Sequence, residues 1–594
     1  MHILQKYLHK YQKIYKKLNK DSLPNAKVSD ILNKRGENMK LSQIPYERIT
    51  LEEITAKMRE FIDRFENATS AKEQMEIYKQ YDEYGADIST TFSLLNIRFT
   101  LDTTDEFYAK EKDYLNEISP FVEQLTQEFN DKLLQSKFID ELKQLLPELI
   151  FTRLEYAKKC FNDEILEDLQ IESKLEMEYS KITAGAMIDF DGQQLTMPQL
   201  GKYKQSPDRE VRRAAYNAQG KWLESVSDQI DDIFDQMVKV RTRIAQKLGF
   251  KNYHEMSIYR MRRIGYGIED IKIFREQVKE DLVPIIAKLK AKQAKELGID
   301  KVTVIDDPVI FANGNPNPIG TPEEIFANGK KMYHEMSAET GNFIDFMLEH
   351  DLFDVLSRKG KAMGGYCTQL PKYKMPFIFA NFNGTSGDID VLTHEAGHAF
   401  AAYKAFDLPW EDIQSPGMET AEIHSMSMEF FAEKWMELFF GERAKDYKYM
   451  HLSSALSFIP YGTIVDYYQE IVYTNPDMTP AERTATFRQL LDEYCPNLCP
   501  DGITAFEQGK RWMLQLHIFE YPFYYVDYCL AQTMALEFLI LMNKDYKSAW
   551  ETYLKLVGYA GTLTFPALVE ACGMQSPLKP GTLKQVAMEI EKLL

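Results

Sequence analysis

Cysteine is scarce in this 594-residue chain: six residues, at 160, 367, 495, 499, 529 and 572, far below the density of secreted domains built on disulfides. A reducing cytoplasm is the expected compartment. Cys495 and Cys499 stand close enough to be half of a zinc site, but no second Cys or His pair follows at finger spacing, so they read as ordinary thiols. Long apolar runs are missing too. The longest, such as FLILM at 538–542, fall far short of the ~20 residues that a membrane span needs, and a soluble chain without a membrane partner is expected. Positive charge is in deficit: 71 Lys and Arg face 90 Asp and Glu, a net −19. Such a surface repels phosphate backbones, so nucleic acid is not an expected partner either. Internal repeats and low-complexity blocks are also lacking.

One segment runs against the charge balance. Residues 1–38 carry nine Lys and Arg and three acids, net +6, which leaves the remainder near −25. Leu4, Leu8, Tyr11, Tyr15 and Leu18 share a helical face, yet no continuous apolar stretch follows as a secretory signal requires. Because the composition changes at Met39, residues 1–38 are read as a basic extension that is not native, with Met39 the natural start.

What is there is mostly helical. From about 50 to 180, apolar residues recur at three and four with few Gly or Pro, predicting antiparallel helices. ITAGAMIDFDGQQLTMP, 182–198, alternates about Asp191-Gly192 and predicts a hairpin. Helical period resumes at 207–247, 268–298 and 322–349, and again after 388. Between 360 and 387 the chain is rich in Gly, Pro and aromatics, and PFIFANF alternates as a strand does. That strand, bearing Pro376, is expected at a sheet edge, where Phe379, Ala380 and Asn381 would pair with an extended peptide by main-chain hydrogen bonds. Gly364, Gly365, Gly384 and Gly387 around it allow close approach, and serve equally as turn residues.

Chemistry begins at DIDVLTHEAGHAFAAYKAF, 388–406, a predicted helix that Asp388 can cap. His394 and His398 lie four apart, so both imidazoles leave one side and can grip one ion. Glu395 is rotated roughly 100° from His394, near enough to reach a water at the ion without being a ligand. Two imidazoles suit zinc, and catalytic zinc takes a third protein ligand and keeps one open position. Glu422 is the candidate, 28 residues after His394 and across a turn marked by Asp407, Pro409, Pro416 and Gly417. Glu429, seven further on, shares its face and suits a carboxylate that orients a ligating imidazole. His424 points elsewhere and is assigned no metal. In HIFEYPFYYVDYCLAQ, 517–532, Tyr521, Tyr525 and Tyr528 are spaced to share one helical face with His517, and a Tyr or His donor beside a developing oxyanion acts most strongly in the transition state.

HEAGH, the AEIHSMSMEFF segment and the later His-then-Tyr cluster resemble the thimet oligopeptidase and oligoendopeptidase F family of zinc metallopeptidases, and IPYERITLEEI, GTSGDIDVLTHEAGHAF and YPFYYVDY resemble its bacterial branch. The resemblance covers about 39–594. It implies a mostly α, zincin-type fold: an ellipsoid with a deep channel and a small β-sheet beside the zinc helix. Residues 39–200 would form one channel wall and 201–594 the catalytic region. It implies one zinc per chain on His394, His398 and Glu422, with Glu395 as general base, His517 and Tyr528 stabilising the oxyanion, and Tyr521 and Tyr525 contacting substrate. The expected activity is cleavage of internal bonds in short unfolded peptides by a monomer or weak homo-oligomer. In thimet-like members the spacing from the histidine to the first tyrosine is one residue longer. Two other readings stay open: a zinc carboxypeptidase or peptidyl-dipeptidase, and a helical peptide-binding protein whose motif is idle.

Overall fold

Thr50 accepts a hydrogen bond from the Glu53 N–H while the Glu53 side chain returns to the Thr50 N–H, a reciprocal cap that opens α1, Leu51–Asn67. Ser70 and Asp105 cap α2, Ala71–Leu101, and α3, Glu106–Leu134, in the same sense. With α4, Glu148–Lys159, they are helices where the periodicity predicts them. This computed structural model describes residues 39–594; the basic extension assigned to 1–38 lies outside them. Buried side chains from Ile54 to Leu154 form one apolar core, joined from later sequence by Trp410 and Ile413. From Ile165 onward most buried residues belong to a second, larger core. α2 serves both, with Met75 and Tyr78 in the first and Leu94 and Ile97 in the second.

The second core is tied together by buried charge. Arg241, on α6 (Arg209–Lys247), is fully buried and donates to Glu172 of α5 (Leu166–Ala184) at 2.6 Å, to the Tyr473 hydroxyl at 2.9 Å, and to the carbonyls of Ile518 and Phe519. Arg260 adds bonds of 3.1 and 2.9 Å to Glu172. Burial alone would raise the Glu172 carboxyl; the guanidiniums of Arg260 and Arg241 outweigh it and hold it down to about 2. A depressed carboxylate contributes stability above its unfolded value near 4.5 and loses it as pH falls toward 2, on the order of 3 kcal/mol here. Urea titration should therefore show Glu172→Gln less stable than the parent by about 3–5 kcal/mol at pH 7, since an unpaired guanidinium stays buried. The gap should shrink as pH falls below about 4.5, the ordinary glutamate value.

The hairpin forms as predicted. β1, Ile188–Phe190, pairs antiparallel with β2, Gln193–Leu195, through Asp191 at φ 51° and Gly192 at φ 71°, the left-handed pair that a two-residue hairpin turn demands. The second sheet departs from expectation. β3 (Phe353–Leu356), β4 (Tyr366–Leu370) and β5 (Met375–Phe382) lie in the order β3-β5-β4, so PFIFANF is the central strand, not an edge. β5 runs parallel to β3 and antiparallel to β4, with Phe379 opposite both Asp354 and Tyr366. Phe379 and Ala380 are buried, the Ala380 carbonyl accepts from the buried Lys361 ammonium, and the Asn381 side chain is bonded to the carbonyls of Ala362 and Gly364. These three residues therefore offer a peptide no free edge. Burial on both faces is the physical reason: a near-continuous apolar run belongs in the middle of a sheet, and Pro376 sits ahead of the first β3 pair, at Ile378.

Candidate active site

Beside that sheet lies α7, Gly387–Ala405, and behind it α8, Met418–Ala432. Asp388 is not the cap of α7; it lies inside the helix, and its buried carboxylate accepts from the backbone N–H groups of Asn383 and Gly384 at 2.8 Å each, pinning the loop that leads in from β5. Gly397 sets how close α7 and α8 come. A Cβ there would stand 2.6 Å from the Ser425 Cα and 2.7 Å from the His424 carbonyl oxygen, so the helices touch backbone to backbone and nothing larger fits.

That approach delivers Glu422 to the two histidines. Its Oε2 lies 3.5 Å from His394 Nε2 and 3.6 Å from His398 Nε2, and one donor atom from each of the three residues falls within 4.8 Å of the others. Ligands at about 2.0–2.1 Å around a tetrahedral zinc stand roughly 3.3 Å apart. The donor set therefore fits a single zinc ion with little adjustment. Among the described residues no other group of three His, Cys, Asp or Glu meets the same criterion, Cys495 and Cys499 included.

The outer nitrogens are held as well. His394 Nδ1 is 2.7 Å from Glu429 Oε1, and the other oxygen of Glu429 is 2.7 Å from His451 Nε2, on α9 (Ala444–Thr474). His451 Nδ1 continues to Glu433 at 3.1 Å. Burial opposes ionisation of Glu429, but bonds to His394 and His451 overcome it and hold the carboxyl down at about 2. His451 was not found from the sequence: it comes from a third helix at no motif spacing. His398 bonds to the Ala421 backbone. His424 is buried on the far side, its carbonyl accepting from the Tyr553 hydroxyl at 2.8 Å.

Glu395 stands next to this group without joining it. Burial, with the nearby charges of Glu422 and Glu429 and against that of His394, pushes its carboxyl up to about 7, where it can take and return a proton near neutrality. At the head of β4, a Cβ added to Gly365 would lie 3.9 Å from Glu395 Oε1. The missing side chain leaves main-chain room beside the carboxylate.

The single helical face expected for His517, Tyr521, Tyr525 and Tyr528 does not form. Pro522 disfavours helix in the residue before it; the short helix Leu516–Phe519 ends, Phe523 takes φ 67°, and α10 begins only at Tyr525, running to Lys544. Phe523 is fixed at that φ by Gln469, which accepts from its N–H at 3.1 Å, and by buried Arg263, which donates to its carbonyl. Tyr521 is consequently left 53% exposed, though its ring is still 6.1 Å from that of His517. Tyr525 and Tyr528 do gather at His517, with ring centroids 4.5 and 5.8 Å away. The break also turns Tyr524 inward, and its hydroxyl donates to Glu422 Oε1 at 2.6 Å. Tyr524 lies in the aromatic run, but only the break, which Pro522 signals, shows which tyrosine reaches Glu422.

His517 is oriented by Gln515, whose amide nitrogen is 2.9 Å from Nδ1 while its oxygen accepts from the Tyr461 hydroxyl at 3.1 Å. With Nδ1 accepting, Nε2 carries the proton and is the donor. Burial holds His517 neutral, its value lowered to about 4. A cavity of about 400 Å³ lined by Glu429, His451, His517, Tyr525 and Tyr528 opens here. α10, the one described helix long and apolar enough to cross a membrane, is 72% buried within the protein.

Residues 41–161 match the peptidase M3 N-terminal domain, and residues 202–308 and 323–584 match peptidase family M3. Among solved structures the chain is similar to a protein described as an oligoendopeptidase F, with 43% identity, 93% of this chain and 98% of that one covered, and TM-score 0.89. PZ peptidase A with an inhibitor gives 43% identity, 93% and 99% coverage and TM-score 0.89. An oligoendopeptidase F of Bacillus anthracis str. Ames gives 41%, 93% and 98%, and 0.85. No curated protein matches the chain.

Proposed function

The chain belongs to peptidase family M3 and is a zinc-dependent oligoendopeptidase, and from that premise we propose that one zinc ion sits on His394, His398 and Glu422, with Glu395, His517 and Tyr528 completing the machinery. The convergence of one Glu422 oxygen on two imidazole nitrogens at 3.5 and 3.6 Å carries this reading. When bound, zinc supplies Lewis acidity, polarising the scissile carbonyl and acidifying water. Glu429 keeps His394 turned toward the ion through Nδ1. Glu395 takes the proton of the attacking water and returns it to the departing amine. Tyr528 and the Nε2–H of His517 donate to the oxygen on which charge develops. Tyr525 and Tyr521 border the peptide. Its main chain passes Gly364 and Gly365, where β4, not β5, presents the outer strand of the sheet. The helices of the first core form the opposite wall, with the catalytic region following them.

Quenched peptides of about ten residues test the reading directly. Internal cleavage, mapped by mass spectrometry of both products, should stop with a chelator and return with zinc. Tyr528→Phe should lower kcat by roughly 10²–10³ with KM little changed, the effect of losing one oxyanion donor. A fall in KM-limited rate alone would move Tyr528 from chemistry to binding. Trimming only from the carboxyl end would favour a carboxypeptidase instead.

A further inference from the structure

Away from the zinc residues, α2 and α4 do not close fully on the chain leading into α8. A cavity of about 520 Å³ remains there. Tyr78, Tyr81, Tyr84 and Phe92 of α2 line it on one side, and Glu411 and Glu419 are among the residues across from them.

Its charges do not balance locally. Four carboxylates line it, those of Asp82, Glu411, Asp412 and Glu419, against the guanidiniums of Arg153 and Arg262. Arg153 is spent on backbone, donating to the carbonyls of Asp412 and Gly561. Among the described residues none of the four carboxylates has a cationic nitrogen within the 4.0 Å of an ion pair. Glu419 is 5% exposed, and its carboxylate is bonded to its own backbone N–H. Burial and the charge of Asp527, against the more distant guanidiniums of Arg263 and Arg153, push Glu419 up to about 8, while burial and Glu411 push Asp82 up to about 7. One buried and three half-buried acids, none of them ion-paired and all set among tyrosine faces, match one ligand chemistry: an organic cation, which gains ion pairing from the carboxylates and attraction from the rings.

We propose that this cavity is a subsite of the peptide channel that takes a guanidinium or alkylammonium group, supplied by an Arg or Lys side chain of the peptide being cut. It rests on the peptidase reading above. Glu419 lies three residues before Glu422 on α8, about 4.5 Å along the helix axis, so the cavity starts within a turn of the zinc residues. A cationic side chain near the cut bond is thus the nearest source of the group.

The test uses the zinc-loaded full chain and two series of quenched peptides that differ only by Arg or its neutral isostere citrulline, placed one position at a time away from the cut. At one position the Arg peptide should be preferred in kcat/KM by roughly ten- to a hundredfold, the range of a charge-assisted hydrogen bond, with the difference in KM. In Glu419→Gln, and separately in Asp82→Asn, that ratio should collapse toward one. Agmatine, a free guanidinium, should compete with the Arg peptide in the parent enzyme and less in both variants. Equal cleavage of both series at every position would overturn the proposal while leaving the peptidase reading intact. Agmatine binding that Glu419→Gln abolishes, with a peptide ratio of one throughout, would make the occupant a free amine and refute the peptide assignment. Failure to cut either series would instead strike the peptidase reading itself.

Discussion

Glu395→Gln should keep one zinc per chain by elemental analysis and lose roughly 10²–10⁴ in kcat on a quenched peptide, the share that a placed general base supplies. The carboxylate is not among the three converging donors, so its loss leaves the ion's ligands untouched. Glutamine preserves size and the acceptor oxygen but cannot take a proton. Burial pushes the Glu395 carboxyl up, the direction that suits a general base. KM should move little, since Glu395 acts on the proton and not on the peptide. Loss of zinc in the variant would recast Glu395 as a ligand, and retention of most activity would remove it from the proton path.

How much of this was legible in the sequence follows the range of the interactions. His394, Glu395 and His398 sit on one helix, where a spacing of four fixes direction regardless of the rest of the fold. Glu422 and Glu429 could be placed from a helix, a turn and a seven-residue interval, all local. What failed depended on neighbours far along the chain. β5 looked like an edge because nothing local reveals that β3, some twenty residues earlier, pairs with it in parallel. His451 reaches Glu429 only because α9 packs there. The tyrosine face failed for a local reason that was available: Pro522 interrupts the helix, and the turn held by Gln469 and Arg263 brings Tyr524 to Glu422. Gly397 lay within the zinc motif, but its task, letting two backbones touch at α8, shows only when the partner helix is in place.

Glu422→Ala should abolish stoichiometric zinc and reduce peptide cleavage to background, the largest loss expected of any single change. Glu422 is the one anionic donor of the three, so its removal leaves two neutral imidazoles to hold a dication, without the third ligand that closes a catalytic zinc site. It also leaves the Tyr524 hydroxyl, now 2.6 Å from Glu422 Oε1, without its acceptor. A graded pair of variants separates ligand from support. Tyr524→Phe and Glu429→Gln each take away an orienting bond, 2.6 Å to Glu422 and 2.7 Å to His394, and should weaken zinc by roughly 10–100-fold while activity returns at saturating metal. Glu422→Ala should not recover at any zinc concentration the protein tolerates. Competition with a chromophoric chelator measures all three affinities on one scale. Wild-type affinity in Glu422→Ala would mean that the ion is held elsewhere, and the convergence of α7 on α8 would then have another purpose.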